Sequence, residues 1–216
     1  MKLYGYWRST AAYRVRIALY LKEISFESVS VHLVKNGGEQ HQSDYQQLNP
    51  NKLVPVLVDG DLVLHQSIAI IDYLEHLTSK SDNVYLLYPS NPKERAKVQA
   101  LALDIACEIH PLNNLRVQQY LSKDLACSDE DKSNWINHWM KIGFSAVEKQ
   151  LVKTSGLYCF GDKITMADLC LIPQVYNANR FKVDMAMFPM INKVVKNCLV
   201  VDAFMKALPE NESDAQ

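Results

Sequence analysis

The run Leu53-Val54-Pro55-Val56-Leu57-Val58, followed by Asp59-Gly60-Asp61 and Leu62-Val63-Leu64, restricts the possible folds more than any other part of this sequence. Two short β-branched runs around an Asp-Gly turn read as an antiparallel hairpin. Proline cannot donate to a strand ladder, so Pro55 marks an edge, a bend or a cis bond at the head of the first strand. A cis bond would turn the N–H and C=O of Val54 outward, within reach of an extended peptide. His65-Gln66-Ser67 then opens a helical pattern, and the unpaired N–H groups of a first helical turn suit a carboxylate. An ordinary hairpin with an edge proline fits the segment equally well.

Around the hairpin the pattern alternates strand and helix. Residues 2–7 and 26–33 read as short strands, and residues 11–22 place Val15, Ala18, Leu19 and Leu21 on one side of a helix. Residues 35–48, with Gly37-Gly38, read as loop plus a weak helix, and 67–78 as a full helix. This order predicts a mixed sheet covered by helices on both faces, the first two strands parallel through a crossover and the last two antiparallel. After polar, turn-rich stretches at 79–83 and 89–92, strand patterns nearly cease. Helical patterns then cover 93–109, 112–122, 129–152, 166–179 and 190–208, with Pro111 breaking the first at His110. Thr165-Met166-Ala167-Asp168 has capping-box spacing, which makes Asp168 a structural residue. The acidic tail 209–216 is expected to fray. The fold expected is α/β plus all-α: a small α/β domain over 1–80 followed by an all-helical domain over 90–210.

A chain of 216 residues can bury a core in either arrangement. Its formal net charge of −1 excludes nucleic acid or an anionic membrane as a general electrostatic partner. No apolar run reaches bilayer length and no leader pattern opens the chain, so a cytoplasmic protein is expected. The five cysteines are odd in number and scattered, without Cys-x-x-Cys, which points to free thiols in a reducing compartment. The dispersed histidines predict no metal.

Several segments together resemble the glutathione transferases, over nearly the whole chain and on a thioredoxin-like first half. Ser9-Thr10-Ala11-Ala12-Tyr13-Arg14-Val15-Arg16 is similar to the zeta-class signature at the start of the first helix. Leu48-Asn49-Pro50, Val54-Pro55 and His65-Gln66-Ser67-Ile68-Ala69 resemble the glutathione-binding segments of that family. Gly161-Asp162-Lys163-Ile164-Thr165-Met166-Ala167-Asp168 resembles its helical-domain motif, and His110-Pro111-Leu112-Asn113-Asn114 and Asn177-Ala178-Asn179-Arg180-Phe181 resemble further zeta-class segments. The resemblance implies glutathione as cofactor, a small acidic substrate and a homodimer. It assigns catalysis to Ser9 and Thr10, and glutathione contacts to these two with Ala11, Arg14, Gln40, Val54, Pro55, Gln66, Ser67, His110, Asn114 and Arg116. Arg8 and Arg180 would hold the substrate. One departure stands out: the zeta signature reads Ser-Ser-Cys, whereas this chain has Ser9-Thr10-Ala11, so no mechanism can use a protein thiol there.

The activity implied is cis–trans isomerisation of maleylacetoacetate in aromatic amino-acid breakdown. Alternatives are isomerisation of maleylpyruvate, a conjugating or dehalogenating transferase for small α-halo acids, and a silent binding module. Such chemistry needs a cofactor thiol kept ionised near neutral pH, where a free thiol of pKa about 8.5 is mostly protonated. A hydroxyl donor and a helix N-terminus both favour the thiolate. Ser9 suits both; local sequence alone makes it an N-cap, and the resemblance adds the catalytic role, with Thr10 as reserve. Arginine forks bind carboxylates bidentately, which is why Arg8 and Arg180 are the substrate candidates. Arg14 and Arg16 cannot both face one site from neighbouring helix positions, so one is structural. His110 fits a helix-end cap or a ligand contact equally. Trp7, Trp135 and Trp139 read as core or interface, and Cys107 and Cys170 as buried apolar thiols.

Overall fold

The computed structural model describes residues 1–78 and 85–215, so the polar stretch 79–83 lies outside the described residues. In the first half, β1 (Lys2–Gly5), β2 (Glu27–Ser30), β3 (Val56–Asp59) and β4 (Leu62–His65) form one sheet in the order β2-β1-β3-β4. β1 runs parallel to β2 and antiparallel to β3, and β3 and β4 form the antiparallel hairpin. The pattern therefore gave the parallel first pair and the antiparallel last pair, but its first three strands are too long.

Each shortening has a local cause. β1 stops at Gly5 because Tyr6 O accepts from Ser9 N at 2.8 Å and turns the chain. Beyond β2, the Glu39 carboxylate takes His32 N at 2.6 Å, and His32 Nδ1 accepts from Val34 N and Lys35 N. That curls a stretch the alternation read as extended. β3 starts at Val56 because Leu53 O already accepts from Asn49 Nδ2 at 2.8 Å and Tyr45 Oη at 2.7 Å, while Pro55 has no N–H to offer.

Helices α1 (Thr10–Leu21), α2 (Ser43–Leu48) and α3 (Ser67–Thr78) complete this part. Leu3, Val15, Ile17, Leu19, Leu57, Ile70, Ile71 and Leu74 form its buried interior. A buried ion pair, Lys22 Nζ to Glu75 Oε2 at 2.6 Å, ties the end of α1 to α3. The weak helix expected in 35–48 resolves into two single turns, Lys35–Gly37 and Glu39–His41, followed by α2. Between the turns Gly38 has φ 100°, and a Cβ there would lie 2.5 Å from Gln40 Nε2, so only glycine lets the Gln40 side chain fold back.

The second half holds α4 (Pro92–Leu103), α5 (Leu115–Lys123), α6 (Asp129–Thr154), α7 (Met166–Arg180) and α8 (Pro189–Cys198). The helix expected over 93–109 does not stay α-helical. It widens into a π turn at Asp104–Ile109 and tightens into a 3-10 turn at His110–Asn113. Gly143 of α6 makes room for the wide turn, since a Cβ there would run into Ile109 Cγ1. The change of phase turns Cys107 outward: it is exposed, which corrects the expectation of a buried thiol, whereas Cys159, Cys170 and Cys198 are buried and Cys127 is half-buried.

Helix α7 is buried along its whole length from Met166 to Val175, as the central rod of this core. The Thr165–Asp168 capping box forms as expected. The Asp168 carboxylate accepts from Thr165 N and Cys159 N at 2.8 Å and from Thr165 Oγ1 at 2.9 Å. Burial pushes its pKa up, and those hydrogen bonds oppose the shift. Among the described residues no helix is long and apolar enough to cross a membrane.

The helix expected over 190–208 is two helices. α8 ends at Cys198, and α9 (Asp202–Lys206) starts in a different compact unit. The chain divides into one unit of Met1–Leu86 with Val201–Gln216 and a second of Leu87–Val200. Residues 201–210, which the expected boundary of 90–210 assigns to the helical half, thus pack with the α/β half. Ala203, Phe204 and Ala207 are buried in this return, which also serves Arg16, only 1% exposed in α1. A buried guanidinium needs acceptors, and Arg16 finds Ala207 O at 3.1 Å and Glu212 Oε1 at 3.4 Å. The tail is also ordered rather than frayed: Pro209–Asn211 forms a 3-10 turn, and Ser28 Oγ donates to Glu212 Oε2 at 2.8 Å.

Candidate active site

The turn from β1 into α1 ends on Ser9, whose extended backbone (φ −68°, ψ 114°) makes it the N-cap. Its Oγ accepts from Ala12 N at 3.2 Å. A hydroxyl that accepts in this way keeps its own proton to donate, so capping and thiol activation are compatible at one atom. No acidic residue occupies the first turn of α1, which leaves the positive end of the helix dipole unopposed there. Ser9 is half-buried, while Thr10 and Ala11 are buried at 7% and 8% exposure.

The hairpin supplies the second component. The Val54–Pro55 peptide is cis, and the register Val56↔His65 sets Val54 and Pro55 alongside Gln66 and Ser67. Gln66 is exposed with φ 72°, a left-handed conformation uncommon for a residue with a side chain. Such strain costs on the order of 1 kcal/mol and gathers at ligand clamps. Its carbonyl accepts from Ile70 N at 3.0 Å and so begins α3, leaving the N–H groups of the first turn for a ligand. Ser67 is buried, and its Oγ accepts from Arg14 Nη1 at 3.3 Å. Arg14, 2% exposed, therefore supports Ser67 from behind and puts positive charge under the α3 N-terminus.

Gln40 is buried, with Nε2 donating to Leu33 O at 3.4 Å and Oε1 receiving no hydrogen bond. A buried acceptor left unpaired costs about 1–3 kcal/mol, and a ligand N–H would relieve it. Arg8 does not present an open fork. Its Nη2 and Nε turn back on Tyr6 Oη at 2.9 and 3.3 Å, and its guanidinium stacks over Trp7 at 4.6 Å.

The other expected residues belong to the second unit. Arg180 is exposed at the end of α7, stacked on the Phe181 ring at 4.4 Å, with Nη2 donating to Asn177 Oδ1 at 3.0 Å. Asn177 Nδ2 donates to Asn113 Oδ1, and Asn113 Nδ2 to Ile109 O, both at 2.8 Å. Two buried asparagines thus link Arg180 to the end of the π turn, where half-buried His110 begins the 3-10 turn. Asn114 caps α5 by accepting Arg116 N at 3.2 Å, and Arg116 is exposed. Sequence reasoning quoted Asn49, Asn113 and Asn177 within motifs without giving them work. For Asn49 and Asn113 the available signal was a neighbouring proline, Pro50 and Pro111; Asn177, inside α7, carried none.

The family model for the glutathione S-transferase N-terminal domain matches residues 1–76. A Vibrio cholerae protein named probable maleylacetoacetate isomerase is 49% identical, covering 99% of this chain and 97% of its own length. A Ralstonia maleylpyruvate isomerase is 41% identical over the full length of both. The solved holo structure of a maleylpyruvate isomerase, described as a zeta-class bacterial glutathione S-transferase, superposes with a TM-score of 0.94 at 40% identity over both whole chains. The chain belongs to the zeta class of the glutathione transferases. A Methylobacterium extorquens maleylacetoacetate isomerase, solved with malonate and glutathione bound, superposes with a TM-score of 0.93 at 36% identity over both chains. The zeta-class residues present here fit such a cofactor. Gln40 offers an orphaned buried acceptor for its N–H groups, and the α3 N-terminus with Ser67 offers donors for a carboxylate.

Proposed function

We propose that the protein is a glutathione-dependent cis–trans isomerase, with maleylacetoacetate as its substrate and maleylpyruvate as the close alternative. The observation that carries this reading is the 49% identity to a probable maleylacetoacetate isomerase over almost the whole of both chains. When bound, glutathione supplies a thiolate that adds to the conjugated cis double bond, allows rotation about it, and leaves as the trans bond re-forms.

The chain's own residues then have separable tasks. Ser9 donates its remaining proton to the sulfur and, with the α1 N-terminus, lowers the thiol pKa toward neutrality. Thr10 and Ala11 form the wall beside it, and Ala11 removes the protein thiol from the chemistry. Val54, ahead of Pro55, pairs main chain to main chain with the tripeptide. Gln66, Ser67 and the α3 N–H groups hold a carboxylate, steadied by Arg14, and Gln40 accepts an N–H. Arg180 binds the substrate carboxylate through its fork while Asn177 keeps it oriented. His110, Asn114 and Arg116 are further glutathione contacts, and Arg8 a second substrate contact once released from Tyr6. A homodimer working in the cytoplasm, in the breakdown of aromatic amino acids, completes the proposal.

The test is calorimetric titration with glutathione, then assay of maleylacetoacetate, maleylpyruvate and a small α-halo acid. Glutathione-dependent turnover of a cis acid is expected. No turnover of either would overturn the reading, and faster halide release would convert it to a transferase.

A further inference from the structure

We propose that residues 209–215 form a strap that positions the turn carrying Ser9, with Asp214 as its positioning residue. This rests on the glutathione-activating role proposed for Ser9. The main chain of the turn is closed by Ser9 N donating to Tyr6 O at 2.8 Å. Trp7, in its middle, has both main-chain groups held from outside. Its N–H donates to Asp214 Oδ2 at 3.3 Å, and its C=O accepts from Arg16 Nη2 at 3.1 Å. Arg16 is itself set by the C-terminal segment, through Ala207 O at 3.1 Å and Glu212 Oε1 at 3.4 Å. Both grips on the turn therefore run through the last part of the chain.

The strap is anchored on the sheet. Ser30 Oγ donates to Asp214 Oδ2 at 2.8 Å and Ser28 Oγ to Glu212 Oε2 at 2.8 Å. Both serines lie on β2, whose register pairs Gly5 with Ser30. Asp214 thus spans from the end of β2 to the turn that leaves the end of β1. Trp7 is 8% exposed, so water is a poor substitute for the lost acceptor. A donor that must meet a sulfur in hydrogen-bond geometry loses effect with small displacements.

Position and charge predict opposite signs, which makes the idea testable. Removing a carboxylate near the site, by its charge alone, would favour the thiolate and lower its pKa. Loosening the turn would weaken the Ser9 hydrogen bond and raise it. Asp214→Ala is expected to raise the pKa of the bound thiol by about one unit, a roughly tenfold smaller thiolate fraction near neutrality. Turnover at neutral pH should fall by a similar factor and recover at higher pH, with the KM for glutathione almost unchanged. Hydrogen exchange over residues 6–13 should accelerate while β3 and β4 keep their protection. Asp214→Asn, which keeps an acceptor and loses the charge, should restore both readouts. A folded Asp214→Ala with an unchanged or lowered thiol pKa and unchanged exchange would overturn the proposal, as would an Asn variant behaving like Ala. A wild type that binds no glutathione would instead overturn the functional reading, and with it the catalytic meaning of the strap; the exchange measurement keeps the two failures apart.

Discussion

Ser9 carries two roles on one hydroxyl, and a substitution removes both. Losing the cap costs about 1 kcal/mol of stability, whereas losing a hydrogen bond to a charged sulfur is worth roughly 1.5–3 kcal/mol. Ser9→Ala should therefore melt slightly lower but turn over ten- to hundredfold more slowly at neutral pH, with a raised bound-thiol pKa and nearly unchanged glutathione affinity. The ultraviolet absorbance of the thiolate, titrated against pH, checks this. An unchanged thiol pKa would move the role to Thr10 or to the helix dipole. Arg180→Ala should weaken use of acidic substrates while sparing a neutral electrophile, and Asn177→Ala should mimic it in part because the bond from Arg180 Nη2 to Asn177 Oδ1 is lost. At this scale the sequence exposed the residues that stand in contiguous motifs, such as Gln66-Ser67 and Ser9-Thr10. It hid those defined by distant partners. Asn177 meets Asn113 across 64 positions and Arg16 meets Ala207 across 191, separations that no local pattern encodes. The Arg8 fork is engaged locally instead, by Tyr6 two residues away on the same turn.

Elements were legible where periodicity alone decides them. α3 spans the expected 67–78, and the β-hairpin forms antiparallel as expected. They were misread where a specific hydrogen bond or a close approach overrules the pattern, as at the end of β1 and at the π turn. Gly143 tests the second case. Gly143→Ala puts a methyl into Ile109, and overpacking of this kind costs about 1–3 kcal/mol, which denaturant unfolding would read. The α7 cap gives a pH-dependent test. Burial holds the Asp168 pKa above its ordinary value, so between the two values the folded state keeps a proton that the unfolded state has released. Stability contributed by this group consequently falls as pH rises through that window. Asp168→Asn does not titrate, and its melting temperature relative to wild type should improve across the same window. A difference independent of pH would show that the hydrogen bonds cancel the effect of burial, and one of opposite trend that they outweigh it.

Across the whole molecule, composition and texture separated an α/β part from a helical part, but not the return of the chain's last stretch to the first unit. Hydrophobic periodicity runs through Leu199-Val200-Val201 without a break, and the partners of the returning segment, the buried Arg16 guanidinium among them, lie far away in the sequence. The dimer proposed here should scatter light with about twice the 24.6 kDa mass of a single chain; a value near one chain would remove it. The distribution of thiols has a further consequence. All five cysteines lie between 107 and 198, inside the unit Leu87–Val200, and Ala11 leaves the first unit with none. A thiol-modifying reagent therefore acts as a clock for one half of the protein: Cys107 should react at once, and Cys159, Cys170 and Cys198 only when the helical unit opens. Strain or melting confined to the first unit leaves no mark on that clock, so the opening of the helical unit can be timed on its own without introducing a single label.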